Sequence, residues 1–128
     1  MTAPAASMSA KILVIDDSPT QLHYLGGVLA AEGYSVITAD NGRDGVAIAR
    51  SERPRLIVMD VVMPGTNGFQ ATRELSRDPE TAAIPVVMCS TKSQGVDRLW
   101  ALRQGARDYL LKPVDPDELL ACVASLVA

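Results

Sequence analysis

Apolar residues in this chain come in short, unbroken runs, and the runs recur with helix-length gaps between them. They are residues 11–16 (KILVID), 35–39 (SVITA), 55–60 (RLIVMD), 85–90 (PVVMCS) and 108–111 (DYLL). A strand with one wet face alternates apolar and polar residues. Continuous runs mark strands buried on both faces. Amphipathic stretches fill the gaps, so five βα units follow one another. That succession predicts an α/β fold with a parallel sheet, right-handed crossovers and helices on both faces.

Capping residues support the helix positions. In SPTQ, Ser18 suits the N-cap, Pro19 the first turn and Gln21 the third position of a capping box. In DPDE, Asp115, Pro116 and Glu118 repeat the pattern for the last helix. Gly33 and Gly105 stand where the first and fourth helices should end, as a C-cap glycine does.

The chain has 128 residues, a length for one domain, and 48% of them are hydrophobic, enough to bury a core without disulfides. A net charge of −3 argues against a general nucleic-acid binder. Cys89 and Cys122 form no CxxC pair and read as two small buried hydrophobes in a reducing compartment. A single histidine, His23, excludes a multi-histidine metal site. No run approaches the ~18 apolar residues of a membrane span. Residues 1–10 lack the basic and apolar regions of a secretory signal. They are expected to be a flexible leader to a domain over residues 11–128, in a cytoplasmic protein, with Met8 a second candidate start.

Open parallel sheets bind ligands at the carboxyl ends of their strands. The first run ends in Asp16 and Asp17, the third in Asp60 and the fourth in Ser90, while Lys112 follows the fifth. Each has a plainer reading. Asp17 could cap a helix, Ser90 could start a loop, and Lys112 could be a solvated lysine. Asp60 has the weakest plain reading, because it lies within the apolar run LIVMDVVMPG. Clustered carboxylates repel unless a cation is near. An all-oxygen ligand set suits Mg²⁺, which keeps several of its waters. Metal and lysine together would neutralise a transferring phosphoryl group, and a carboxylate can accept that group covalently.

The segments VIDDSPT, VMDVVMPGTNG, PVVMCST and YLLKPVD, in this order, resemble the receiver domain of two-component response regulators. The resemblance covers residues 11–128 and implies a CheY-like, flavodoxin-like, doubly wound (βα)5 fold with strand order 2-1-3-4-5. It implies that Asp60 is the phosphoacceptor and that Mg²⁺ is held by Asp16, Asp17, Asp60 and the backbone carbonyl of Val62. It gives Lys112 the phosphoryl oxygens and makes Ser90 and Tyr109 the switch pair. It also implies a cis Lys112–Pro113 bond. Tyr109 reads alternatively as an ordinary half-buried strand tyrosine. Val62 and Lys92, two residues beyond Asp60 and Ser90, are neither carboxylates nor amides, which argues against unusually fast self-dephosphorylation.

Segments such as NGRDGVAIAR and RQGARDYLLKPVD are similar to single-domain regulators of twitching-motility chemosensory systems, the PilG/PilH type. That likeness implies a chemosensory histidine kinase as donor. It also implies a downstream motor or pilus regulator bound through the fourth helix, fifth strand and fifth helix, with no nucleic acid and no membrane insertion. Val96, Leu99 and Arg103 mark one face of the fourth helix with Trp100 beside it, either packed on neighbours or facing a partner.

Other classes fit less well. A haloacid-dehalogenase-type phosphatase needs a second aspartate where Val62 stands, and there is no GxxxxGK[ST] loop for a nucleotide. An FMN carrier would need a phosphate loop where the chain has Asp16 and Asp17. The reading is therefore a phosphoacceptor rather than an enzyme. A phosphate sink without an output partner and a phosphorylation-independent binding module are the alternatives.

Overall fold

Strands Leu56–Asp60 and Val86–Ser90 are buried at every position, which puts them at the centre of the sheet. A computed structural model describes residues 10–91 and 95–127. The strands are β1 (Lys11–Ile15), β2 (Ser35–Ala39), β3 (Leu56–Asp60), β4 (Val86–Ser90) and β5 (Asp108–Leu111). The helices are α1 (Pro19–Ala31), α2 (Gly42–Glu52), α3 (Gly68–Arg77), α4 (Gly95–Gln104) and α5 (Pro116–Val127). All strand pairs are parallel, in the order β2-β1-β3-β4-β5, as the resemblance implies. Most of the expected leader lies outside the described residues. Ala10 is buried, and its carbonyl accepts from the Ser35 amide.

The unbroken apolar runs have a simple cause. Successive strand residues point to opposite faces, and each face has its own core. Leu13, Ile15, Ile57, Met59 and Met88 pack with Val46 and Ala49 of α2, Leu75 of α3 and Ala101 of α4. Ile12, Val14, Leu56, Val58 and Val87 pack with Leu25 and Leu29 of α1 and Leu119 and Val123 of α5. Each fully buried aliphatic side chain contributes about 1.5–3 kcal/mol of transfer free energy. The edge strands are less covered: β2 exposes Ser35 and Thr38, and β5 exposes Leu111.

The helix ends follow the sequence, but the expected capping boxes form only in part: at α5 the Glu118 amide donates to Asp115 Oδ2. Ser18 Oγ accepts from the Gln21 amide at 3.3 Å, but the reciprocal half of the box does not form. The Ser18 amide donates instead to Asp16 Oδ1 at 2.9 Å, and Gln21 Oε1 has no partner among the described residues. A complete capping box occurs at α3, where Asn67 and Gln70 bond reciprocally. Gly33 and Gly105 have φ of 105° and 113°, the left-handed conformation that a helix C-terminus favours in glycine.

Helix α4 is turned against its apolar pattern. Its buried residues are Ala101 and Gln104, whereas Val96, Leu99, Trp100 and Leu102 are exposed. Trp100 is 45% exposed, so of its two readings packing on neighbours accounts for only part of its surface. No helix among the described residues is long and apolar enough to cross a membrane.

Candidate functional site

The register of the sheet assembles the site. Ile15 is paired with Met59, so one step further along brings Asp16 beside Asp60. Ser90 pairs with Leu111, so Lys112 leaves the sheet beside Ser90, and its amide donates to the Ser90 carbonyl at 2.8 Å. Asp16, Asp60 and Ser90 are buried at the rim, and Asp17 is exposed. Carboxylate oxygens of Asp16, Asp17 and Asp60 all lie within 4.8 Å of one another.

Lys112 closes the cluster. Its Nζ donates to Asp16 Oδ2 at 2.8 Å and to Asp60 Oδ1 at 2.9 Å. Asp16 is thus held at both oxygens, by Lys112 and by the Ser18 amide. Among the described residues the Asp17 carboxylate and the Val62 carbonyl have no hydrogen-bond donor, so both are available to a ligand.

Burial pushes the Asp60 carboxyl above the ordinary carboxylate range; the Lys112 hydrogen bond opposes this, and the Asp16 charge adds to it. Burial pulls the Lys112 ammonium down, but the hydrogen bonds to Asp16 and Asp60 outweigh it and the net shift is upward. Beneath them, burial pushes the Cys89 thiol up to about 12, which makes it an inert core residue. Cys122 is also raised to about 12, by burial and by its hydrogen bond to Asp108, and both cysteines are free.

The structure thus brings Asp16, Asp17, Asp60 and Lys112 to one point, with Ser90 ending the strand between Asp60 and Lys112. Tyr109 is buried in the core with Ala101 and Met88 rather than half-buried, and its carbonyl accepts from Arg98 at 3.2 Å. The Lys112–Pro113 bond is cis. Lys92 lies outside the described residues.

Sequence reasoning missed two contributors. Gly68 packs so closely on β3 that an added Cβ would collide with the Asp60 carbonyl oxygen and the Met88 ε-methyl. The NGFQ signature of a capping box was the available signal for that helix start. Tyr24 donates its hydroxyl to the Val114 carbonyl at 2.7 Å, and no sequence signal announces that bond.

Away from the rim, a groove of about 720 Å³ runs between α4 and α5 over β5. Tyr109, Leu111 and Pro113 contribute its apolar surface, and Asp108, Asp115 and Glu118 its carboxylates. Arg98, the one cation lining it among the described residues, is engaged by Asp108 at 3.2 Å.

A doubly wound sheet in this order, with three carboxylates and a lysine at its carboxyl edge, is the plan of a signalling receiver. Residues 12–124 match the response regulator receiver domain, and the chain belongs to that family. It is 54% identical to the protein PilH of Pseudomonas aeruginosa over 119 residues, 93% of this chain and 98% of that one. The chemotaxis protein CheY4 of Vibrio cholerae superposes with a TM-score of 0.87 at 30% identity, over 92% of this chain and 98% of that one. The receiver domain of the sensor histidine kinase PA1611 of Pseudomonas aeruginosa superposes with a TM-score of 0.86 at 28% identity, over 93% and 98%. That structure holds a magnesium ion in its active-site cleft.

Proposed function

We propose that this protein is a phosphorylation-dependent switch in a chemosensory pathway of the twitching-motility kind. A histidine kinase is the donor. An Asp60 carboxylate oxygen attacks the phosphorus of the kinase's phosphohistidine, the N–P bond breaks, and the imidazole leaves. The observation that carries this reading is the convergence of Asp16, Asp17, Asp60 and Lys112 at one edge of the sheet.

The donor set fits Mg²⁺: hard oxygen ligands, with Asp17 and the Val62 carbonyl lacking other partners among the described residues. Asp16, Asp17, Asp60 and the Val62 carbonyl would hold the ion. When bound, it neutralises charge on the phosphoryl oxygens. Lys112, already paired with Asp60, pairs with those oxygens after transfer. Ser90 turns its hydroxyl toward the new phosphoryl group, and Tyr109 repacks with it. A partner that prefers this arrangement binds the α4–β5–α5 face more tightly.

The exposed apolar residues of α4 and the adjoining groove support a protein partner there, and so favour an effector over a pure phosphate sink. The intact carboxylates and lysine weigh against a phosphorylation-independent module. We assign the protein to the cytoplasm and regard it as a phosphoacceptor with its own self-dephosphorylation chemistry rather than an enzyme acting on other substrates.

The test is mass measurement after incubation with acetyl phosphate and Mg²⁺, and separately with a chemosensory kinase. The expected result is a gain of one phosphoryl group, lost in Asp60→Ala. No gain from either donor would sink the reading.

A further inference from the structure

The segment between β5 and α5, residues 112–115, carries Lys112 and is short of main-chain hydrogen bonds. Pro113 lies within it and Pro116 follows it, so two amide donors are missing where the chain turns. Its described anchors are few. The Lys112 amide donates to Ser90, and the Asp115 carbonyl and carboxylate accept from Leu119 and Glu118. Beyond the Val114 side chain in the core and the Lys112 ammonium on its two carboxylates, the remaining main-chain anchor is the Val114 carbonyl. Val114 is buried, and the only hydrogen bond its carbonyl accepts among the described residues comes from the Tyr24 hydroxyl, at 2.7 Å.

Tyr24 is 90 residues away in sequence, on α1. It is 37% exposed, so core packing alone does not hold its ring. The same helix is capped by Ser18, whose amide holds Asp16 Oδ1 at 2.9 Å. One rigid helix therefore touches both sides of the site. Its N-cap amide bonds Asp16, and Tyr24 bonds the segment that bears Lys112.

We propose that Tyr24 is a positioning residue for phosphoryl transfer: its bond to Val114 holds the 112–115 segment so that the Lys112 ammonium sits between Asp16 and Asp60. The role rests on the reading of Asp60 as phosphoacceptor. Without the hydroxyl, the part-buried Val114 carbonyl loses its protein donor, and the segment loses its tie to α1. A small displacement of a charge-stabilising group slows transfer without abolishing it.

The experiment compares Tyr24→Phe with Thr81→Val. Thr81 is buried at the other end of the sheet, and its hydroxyl donates to the Leu75 carbonyl at 2.7 Å. The control thus loses a similar bond far from the rim. Each variant is assayed for melting temperature, for the maximal rate of modification by acetyl phosphate with saturating Mg²⁺, and for the ¹³Cε resonance of Lys112. Tyr24→Phe is expected to stay folded, to lose about five-fold in maximal rate and to shift the Lys112 resonance. Thr81→Val is expected to lower the melting temperature and leave both readouts unchanged. An unchanged rate and resonance in Tyr24→Phe overturns the proposal, as does an equal rate loss in Thr81→Val. If the wild type is not modified at all, the phosphoacceptor reading fails, and the Lys112 resonance still decides whether Tyr24 positions the lysine.

Discussion

The Lys112 ammonium lies 2.9 Å from Asp60 although the two residues are 52 apart in sequence, Asp60 ending β3 and Lys112 following β5, two strands that are not neighbours. The lysine reaches over the end of β4 to make that contact and holds Asp16 with the same nitrogen. Two carboxylates buried at a rim are thereby kept compatible with one another. The same nitrogen is the ready partner for any new anion that forms on Asp60.

Lys112→Met removes that compensation. The variant is expected to lose about 2 kcal/mol at neutral pH, below the cost of breaking a fully buried pair because the rim is partly open to solvent. The Asp60 carboxyl should titrate at higher pH than in the wild type, since the hydrogen bond opposing its upward shift is gone. Urea unfolding and carboxyl ¹³C titration measure the two effects. A downward move of Asp60 would refute the electrostatic account.

The pH dependence has a defined sign. Asp60 keeps its proton to higher pH when folded, so between its ordinary value of 3.8 and its raised value the native state binds more protons than the unfolded chain. Its contribution to stability therefore declines as pH rises through that window. Asp60→Asn lacks the titration, and its stability relative to wild type should increase over the same window. Lys112 acts at the alkaline end. Its contribution is complete below its ordinary value of 10.5 and is lost as pH rises through its higher folded value. Urea titrations of both proteins across the pH range check the two slopes.

Two glycines should respond oppositely to alanine. An added Cβ at Gly27 meets nothing within 4 Å, so Gly27→Ala should stabilise α1 by up to about 1 kcal/mol through helix propensity. Gly68→Ala forces a Cβ onto the Asp60 carbonyl oxygen. It should destabilise by roughly 2 kcal/mol or more, because backbone on a central strand must shift. It should also slow modification of Asp60. Equal stability changes of the two variants would contradict the packing described.

Trp100 offers a test of the α4 face. Because nearly half of the residue is exposed at 45%, Trp100→Ala should cost about 1 kcal/mol or less. Binding of the phosphorylated protein to its output partner should weaken far more, as removal of an exposed interface tryptophan does. The sole tryptophan also makes its fluorescence a direct readout of that face. A large loss of stability on substitution would make Trp100 a packing residue.

Much of this was written in local sequence. The apolar runs named the five strands to within one residue at each end, because the sheet's central strands are buried on both faces and its edge strands in part. Ser18, Asp115, Gly33 and Gly105 marked helix ends by their own backbone chemistry. Asp16, Asp17, Asp60, Ser90 and Lys112 were visible as polar residues at the ends of apolar runs, so the rim was legible before the fold was built.

The tertiary structure decided which distant groups meet and at what angle. Gln21 could not complete its capping box once the Ser18 amide turned to Asp16, a choice between two local acceptors that the position of β1 settles. Tyr24 reaches Val114 only because α1 and α5 cover the same face of the sheet. Helix α4 turns Ala101 inward and Trp100 outward, against the size of their apolar surfaces, because its buried side must fit closely over the sheet. Periodicity and end chemistry are properties of neighbouring residues and can be read along the chain. Register, helix rotation and long-range hydrogen bonds depend on how separate elements share one volume, and only the folded arrangement resolves that competition.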